Sequence, residues 1–177
     1  MLRIPVGLVL LSLGAVPAAA DGRGLALLGA FEQTCGQRPA LPTVLQRLAK
    51  AVGFESQDGD IRPDLERGDK LDVTYFAKLV QGEATFGLSA CFSGSTDAPE
   101  VTCSMGAIDA NAKDLAAAVE AAEHVASPDT AVSKDGALVT LKWTFGAANR
   151  SDWLEMRARR DEPRRTGLTL SYQVRKP

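Results

Sequence analysis

Leu71-Asp72-Val73-Thr74-Tyr75-Phe76-Ala77-Lys78-Leu79 decides the fold. In an extended chain successive side chains point to opposite sides. Leu71, Val73, Tyr75, Ala77 and Leu79 therefore share one face, and Asp72, Thr74, Phe76 and Lys78 share the other. The pattern recurs downstream. Phe86, Leu88, Ala90 and Phe92 alternate with Thr85, Gly87, Ser89 and Cys91, and Val101, Cys103, Met105 and Ala107 alternate with Thr102, Ser104 and Gly106. Gly82 and the stretch 93–99 supply the turns. Three further runs follow: Val139, Leu141, Trp143 and Phe145; then Leu154, Met156 and Ala158; then Leu168, Leu170, Tyr172 and Val174. Period-two alternation marks half-buried antiparallel strands, so about six are expected, each with one apolar face.

Helical spacing frames these runs. Leu25, Leu28, Phe31 and Cys35 are read as the stripe of a first helix that Gly36 ends. Pro42 opens a second helix, whose stripe is Val44, Leu45, Leu48, Ala51 and Val52 and whose stop is Gly53. Residues 54–70 are polar and punctuated by Gly and Pro, a loop. A third helix is expected from about Asn111 to Ala126, capped by Asp109 or Asn111 and closed by Ser127-Pro128. Its stripe is Leu115, Ala118, Val119, Ala122 and Val125. The expected class is α+β: an antiparallel sheet with helices on one face, in two αβββ halves that form a pseudo-repeat.

The first 20 residues read as a cleavable export signal. Arg3 gives a positive start, Ile4 to Val16 an apolar run, and Ala18-Ala19-Ala20 a signal-peptidase site, with Asp21 as the new N-terminus. The run is shorter than the ~20 apolar residues of a spanning helix, and no later stretch reaches that length, so no membrane span is expected after cleavage. The remaining 157 residues suffice for one domain, 21–177, with its own core. Of 20 Lys and Arg, one, Arg3, lies in the leader. That leaves 19 against 22 Asp and Glu and a formal charge of −3. Such a domain has no overall electrostatic pull toward nucleic acid, and no nucleic-acid partner is expected. A periplasmic or secreted location follows from the leader.

Three cysteines meet an oxidising compartment, so a disulfide is expected. Cys35 lies on the helix stripe and Cys103 on the apolar strand face, while Cys91 lies on the polar face. Core-facing Cys35 and Cys103 are the expected pair, a long loop whose closure contributes about 4 kcal/mol. The competing bridge, Cys91 to Cys103, needs a register that puts both on one face. Cys91 is then a free thiol, read either as partner-linking or as inert. No Lys, Arg or His sits beside it in sequence to make it reactive.

No catalytic, metal or cofactor motif stands out. His124, the sole histidine, falls about 180° from the third helix's stripe and lacks any nucleophile frame such as G-x-S-x-G. Asp58, Asp60, Asp64, Glu66 and Asp69 crowd the 54–70 loop. A calcium loop beginning at Asp58 would need glycine where Pro63 stands and a ligand where Arg62 stands. These carboxylates are a solvated loop or, alternatively, the acid–base groups of a small periplasmic hydrolase. Arg157, Arg159, Arg160, Arg164 and Arg165 gather near Pro163 at an expected hairpin tip, where they could grip phosphate, lipopolysaccharide or an acidic partner, or merely keep the hairpin soluble.

Phe31-x-x-x-Cys35 on a first helix, followed by a core-strand cysteine at 103, resembles small exported bacterial α/β proteins of unassigned function. The resemblance implies an αβ fold and a disulfide. It implies no activity, and Cys91 departs from it. The leading functional expectation is a non-enzymatic binding or accessory module with no cofactor. Its open sheet face would meet a protein or glycan partner through Phe76, Trp153, Arg157 and Arg159.

Overall fold

A computed structural model describes residues 22–108, 110–123, 129–132, 136–144, 153–161 and 165–174. The leader, His124, Phe145, Val125 and Arg164 lie outside the described residues. Along the chain run α1 (Gly22–Gln33), a 3-10 turn (Cys35–Gln37), α2 (Pro42–Val52), β1 (Glu55–Ser56) and a second 3-10 turn (Pro63–Glu66). Then come β2 (Lys70–Gln81), β3 (Ala84–Ser95), β4 (Ala98–Ile108), α3 (Ala112–Glu123), β5 (Asp129–Val132), β6 (Leu138–Thr144), β7 (Trp153–Arg159) and β8 (Arg165–Gln173). The described strands form one open antiparallel sheet in the order β1-β2-β3-β4-β8-β7-β6-β5.

The order is the same from either edge. A helix followed by four strands occurs twice, α2 with β1–β4 and α3 with β5–β8, and the two units join through their last strands. The expected αβββ halves thus each gain one strand. β1 falls inside the stretch expected as pure loop, where Glu55 and Ser56 pair with Lys78 and Ala77. β5 precedes the first strand expected after the third helix.

Alternation sorts the strands as the sequence demands. Leu71, Val73, Tyr75 and Ala77 are buried, as are Phe86, Leu88, Ala90 and Phe92, Val101, Cys103, Met105 and Ala107, and Leu154, Met156, Ala158, Leu168, Leu170 and Tyr172. Helices cover this face: α1 packs against β4, α2 against β2 and α3 against β7, with α1 also touching α2 and α3. The core between the layers is one contiguous cluster, in which Leu27, Phe31, Leu45, Leu115 and Val119 meet Phe86, Phe92, Met105 and Leu168.

Two helical stripes need correction. Leu25 is 52% exposed, and the buried side of α1 is Gly24, Leu27, Leu28, Ala30 and Phe31. Six residues of helix turn the chain by about 600°, which leaves Leu25 about 120° round from Phe31 and past the Leu28 edge of the buried arc. α1 also stops at Gln33, before Gly36. Thr34 is fully buried, and its hydroxyl donates to the Ala30 carbonyl at 2.8 Å. The chain then tightens into the 3-10 turn, and Arg38 takes the left-handed conformation at φ 50°. Cys35 therefore enters the core from a turn. In α2 the buried positions are Pro42, Leu45, Gln46 and Ala49, while Ala51 is exposed. Pro42 at the first turn and Gly53 at φ 103° bound this helix as expected.

Candidate functional site

Cys35 and Cys103 form a disulfide with Cα atoms 5.6 Å apart, both fully buried, tying the α1–α2 connection to β4 at the centre of the sheet. Tyr172 on neighbouring β8 pins the same connection, its hydroxyl donating to the Pro39 carbonyl at 2.7 Å. Burial pushes the Tyr172 phenol well above its usual range, with the positive charge of Arg38 opposing. The β3–β4 register sets Ala90 opposite Cys103 and Cys91 opposite Thr102. Cys91 therefore points away from Cys103, and it is free and exposed. With the helices and the disulfide committed to one face, the candidate surface is the other.

Register turns that open face into rows across the strands. Lys78, Gly87, Gly106, Gly167 and Arg157 follow one another from β2 to β7. The next row is Phe76, Ser89, Ser104, Thr169, Glu155 and Lys142, and the next is Thr74, Cys91, Thr102, Ser171 and Trp153. The middle of the face is thus floored by glycine, serine and threonine, while larger side chains stand at its sides. A Cβ at position 167 would lie 3.2 Å from the Met105 carbonyl oxygen, so β4 and β8 approach too closely there for a side chain to fit easily. Hydroxyls on the floor bond one another: Ser104 with Thr169 at 2.9 Å and Thr102 with Ser171 at 3.4 Å.

Phe76 is 44% exposed at the β2 side. Trp153 is half-buried on β7, four strand spacings or about 19 Å away. The Lys142 ammonium lies 4.4 Å from the Trp153 ring centroid, a cation–π contact. Trp153, Glu100, Thr102, Ser171 and Gln173 line a hollow of about 190 Å³ over the junction of β4, β8 and β7. A second, shallower depression lies beside Phe76 and Lys78 over Gly87 and Gly106.

Arg157 does not stand next to Trp153. Glu155 lies between them on the face and takes the Arg157 guanidinium as an ion pair. Arg159 is held by Asp161 through two hydrogen bonds of 3.0 and 2.7 Å. Both arginines are exposed on the open face, so all four predicted face residues share it, but the structure separates the aromatic pair and gives the arginines carboxylate partners.

The acidic loop is built into the fold. Glu66 accepts hydrogen bonds from the Thr43 amide at 2.6 Å and the Thr43 hydroxyl at 2.9 Å, which places a carboxylate at the N-terminal end of α2. Asp60 accepts from Lys50 at 2.6 Å and from Gln46 at 3.1 Å. Asp64 pairs with Arg62. Among the described residues, no three His, Cys, Asp or Glu side chains gather as a metal would require.

Sequence reasoning passed over Glu100. It belongs to β4's open-face set, two residues before Thr102, but the preceding run of turn residues obscured where the strand begins. Comparison with protein-family models, curated proteins and solved structures gives no match for this chain. Among the described residues no helix is long and apolar enough to cross a membrane. The buried disulfide is consistent with an oxidising compartment.

Proposed function

We propose that this protein is an exported, non-enzymatic binding module of the periplasm or secreted space that engages a protein or glycan partner through its open sheet face. The observation that carries this reading is the division of labour between the faces. One holds the helices, the core and the disulfide. The other presents a small-residue floor between Phe76 and Trp153, two aromatic side chains that burial in the core would otherwise claim. Two carboxylates of residues 54–70, Glu66 and Asp60, fasten that loop to α2. Export itself rests on the leader, and N-terminal sequencing of the mature protein should begin at Asp21.

Site-specific photo-crosslinking in living cells tests the face. A photoreactive side chain replacing Ser89, on the floor, should yield a defined adduct. The same group replacing exposed Arg47 on α2 should not. Adducts from Arg47 alone would overturn the assignment.

A further inference from the structure

The structure assigns the hollow beside Trp153 to a single neutral sugar ring at the end of a glycan. This deepens the binding-module reading and rests on it. A hexose ring has an apolar C–H face and a rim of hydroxyls, so it needs an aromatic wall, a floor of small polar groups, and side chains that can bond two adjacent hydroxyls at once. The hollow supplies each. Trp153 is the wall, with Lys142 already over its ring at 4.4 Å. Thr102 and Ser171 lie cross-strand from one another on the floor, their hydroxyls 3.4 Å apart, each able to donate and accept. Glu100 and Gln173 face each other one step along the same two strands. A carboxylate with two acceptor oxygens and an amide with both donor and acceptor atoms suit adjacent hydroxyls.

Size points the same way. At about 190 Å³ the hollow falls below the ~300 Å³ where pockets for drug-sized ligands begin, and it suits one ring rather than two. It opens to solvent, so the remainder of a glycan can run out across the hydroxyl floor toward Ser104 and Thr169. Glu100 at the rim and the Lys142 ammonium over the Trp153 ring offset one another in charge, so the hollow favours neither an acidic nor a basic sugar and a neutral ring is the better occupant.

Titration of the intact mature domain with glucose, galactose and N-acetylglucosamine tests this by the indole resonances in NMR. A ligand of about twelve heavy atoms should bind with a dissociation constant on the order of 1 mM. The expected result is a saturable shift of the Trp153 indole with at least one sugar while the Trp143 indole stays still. Trp153→Ala should weaken binding roughly tenfold. Glu100→Gln and Gln173→Ala, exposed changes that leave the fold intact, should each weaken it several-fold. No saturable shift with any of the three sugars overturns the proposal, as does binding indifferent to Glu100→Gln. Tighter binding of the tripeptide Gly-Trp-Gly than of any sugar would also overturn it, by making the hollow a peptide side-chain pocket. If open-face photo-adducts form while no sugar binds, the partner-face reading survives and only the sugar assignment falls.

Discussion

The two helix-plus-four-strand units carry the same strand order but are not equally well secured. In the first, β2, β3 and β4 are 12, 12 and 11 residues long and lie under α1 and α2. A disulfide reaches β4, and the loop after β1 is clipped to α2 by Asp60 and Glu66. In the second, β5, β6 and β7 are 4, 7 and 7 residues long, and α3 is the helix packed on β7. Val139 and Leu141, on the core side of β6, are only half-buried, and Val132 beside Val139 is 47% exposed. The buried Trp143 indole N–H, 2% exposed, has no hydrogen-bond partner among the described residues. A duplicated architecture is thus stabilised from one side, and the β4–β8 joint passes that stability to the weaker half. The candidate hollow sits on this joint, with its floor on β4 and β8 and its aromatic wall on β7.

The largest test removes the asymmetry at its source. Cys35→Ala with Cys103→Ala should cost about 4 kcal/mol, since the sequence separation of 68 closes a long loop in the unfolded chain. Urea melts give the magnitude. Native-state hydrogen exchange gives the pattern: β3 and β4 should outlast β6 in the parent protein and lose much of that lead in the variant. If β6 amides outlast those of β3 in the parent, the comparison between halves is inverted.

Trp143→Ala probes the weaker half and should cost about 3 kcal/mol, at the low end for a buried aromatic. The cavity penalty is partly offset because a buried N–H with no partner among the described residues leaves with the side chain. Trp143→Phe should accordingly cost much less than the loss of ring volume alone predicts. A penalty for Trp143→Ala well above 5 kcal/mol in thermal or urea unfolding would mean that the second half is packed as tightly as the first.

These contrasts show where the sequence spoke and where it fell silent. Alternation over eight or nine residues assigned β2 and β3 face by face, because a one-residue slip would expose an entire apolar set. It also separated Cys103 from Cys91, which lie on opposite faces, whereas Cys35 was placed inward by the helix stripe and enters the core from the 3-10 turn. Two-residue β1 and four-residue β5 are too short to show a period, and their pairing is set by neighbours distant in sequence. Leu25 misled because successive three-residue steps drift about 60° each round the helix, which carries it past the edge of the buried arc. The site was legible only as a list of polar-side residues. That Gly87, Gly106 and Gly167 line up, or that Glu100 meets Gln173 beside Trp153, depends on strand order, and the β4–β8 pairing joins positions about 65 residues apart in a way no local pattern encodes.

Glu66→Ala should cost about 1–2 kcal/mol, because the Thr43 amide and hydroxyl lose a charged acceptor at the start of α2. Its effect should fall on the first half, seen as faster amide exchange in α2 while β7 is unchanged. Tyr172→Phe should cost about 1 kcal/mol by stranding the Pro39 carbonyl. It also carries a pH signature. The phenol's pKa is raised in the folded state, so its contribution is fully present below the unfolded value near 10 and declines as pH rises above that. The parent should lose stability through this alkaline range, and Tyr172→Phe should lose less. Parallel alkaline melts of the two proteins would exclude this origin.

The smallest structural effect is expected at the residue of greatest functional interest. Trp153 and Leu154 are neighbours on β7, yet they face opposite sides: Leu154 is buried opposite Leu170, whereas Trp153 is half-buried over Ser171. Truncating Trp153 vacates no core volume. It forfeits a cation–π contact with Lys142 and some covered surface, worth together under about 1 kcal/mol at a solvent-facing site. Trp153→Ala should therefore melt within about 1 kcal/mol of the parent while Trp143→Ala, one strand away on the other face, falls by about 3. Two tryptophans on neighbouring strands thus report on opposite faces of one sheet. Equal destabilisation by the two substitutions would mean that both faces are covered, leaving no open surface for a partner to occupy.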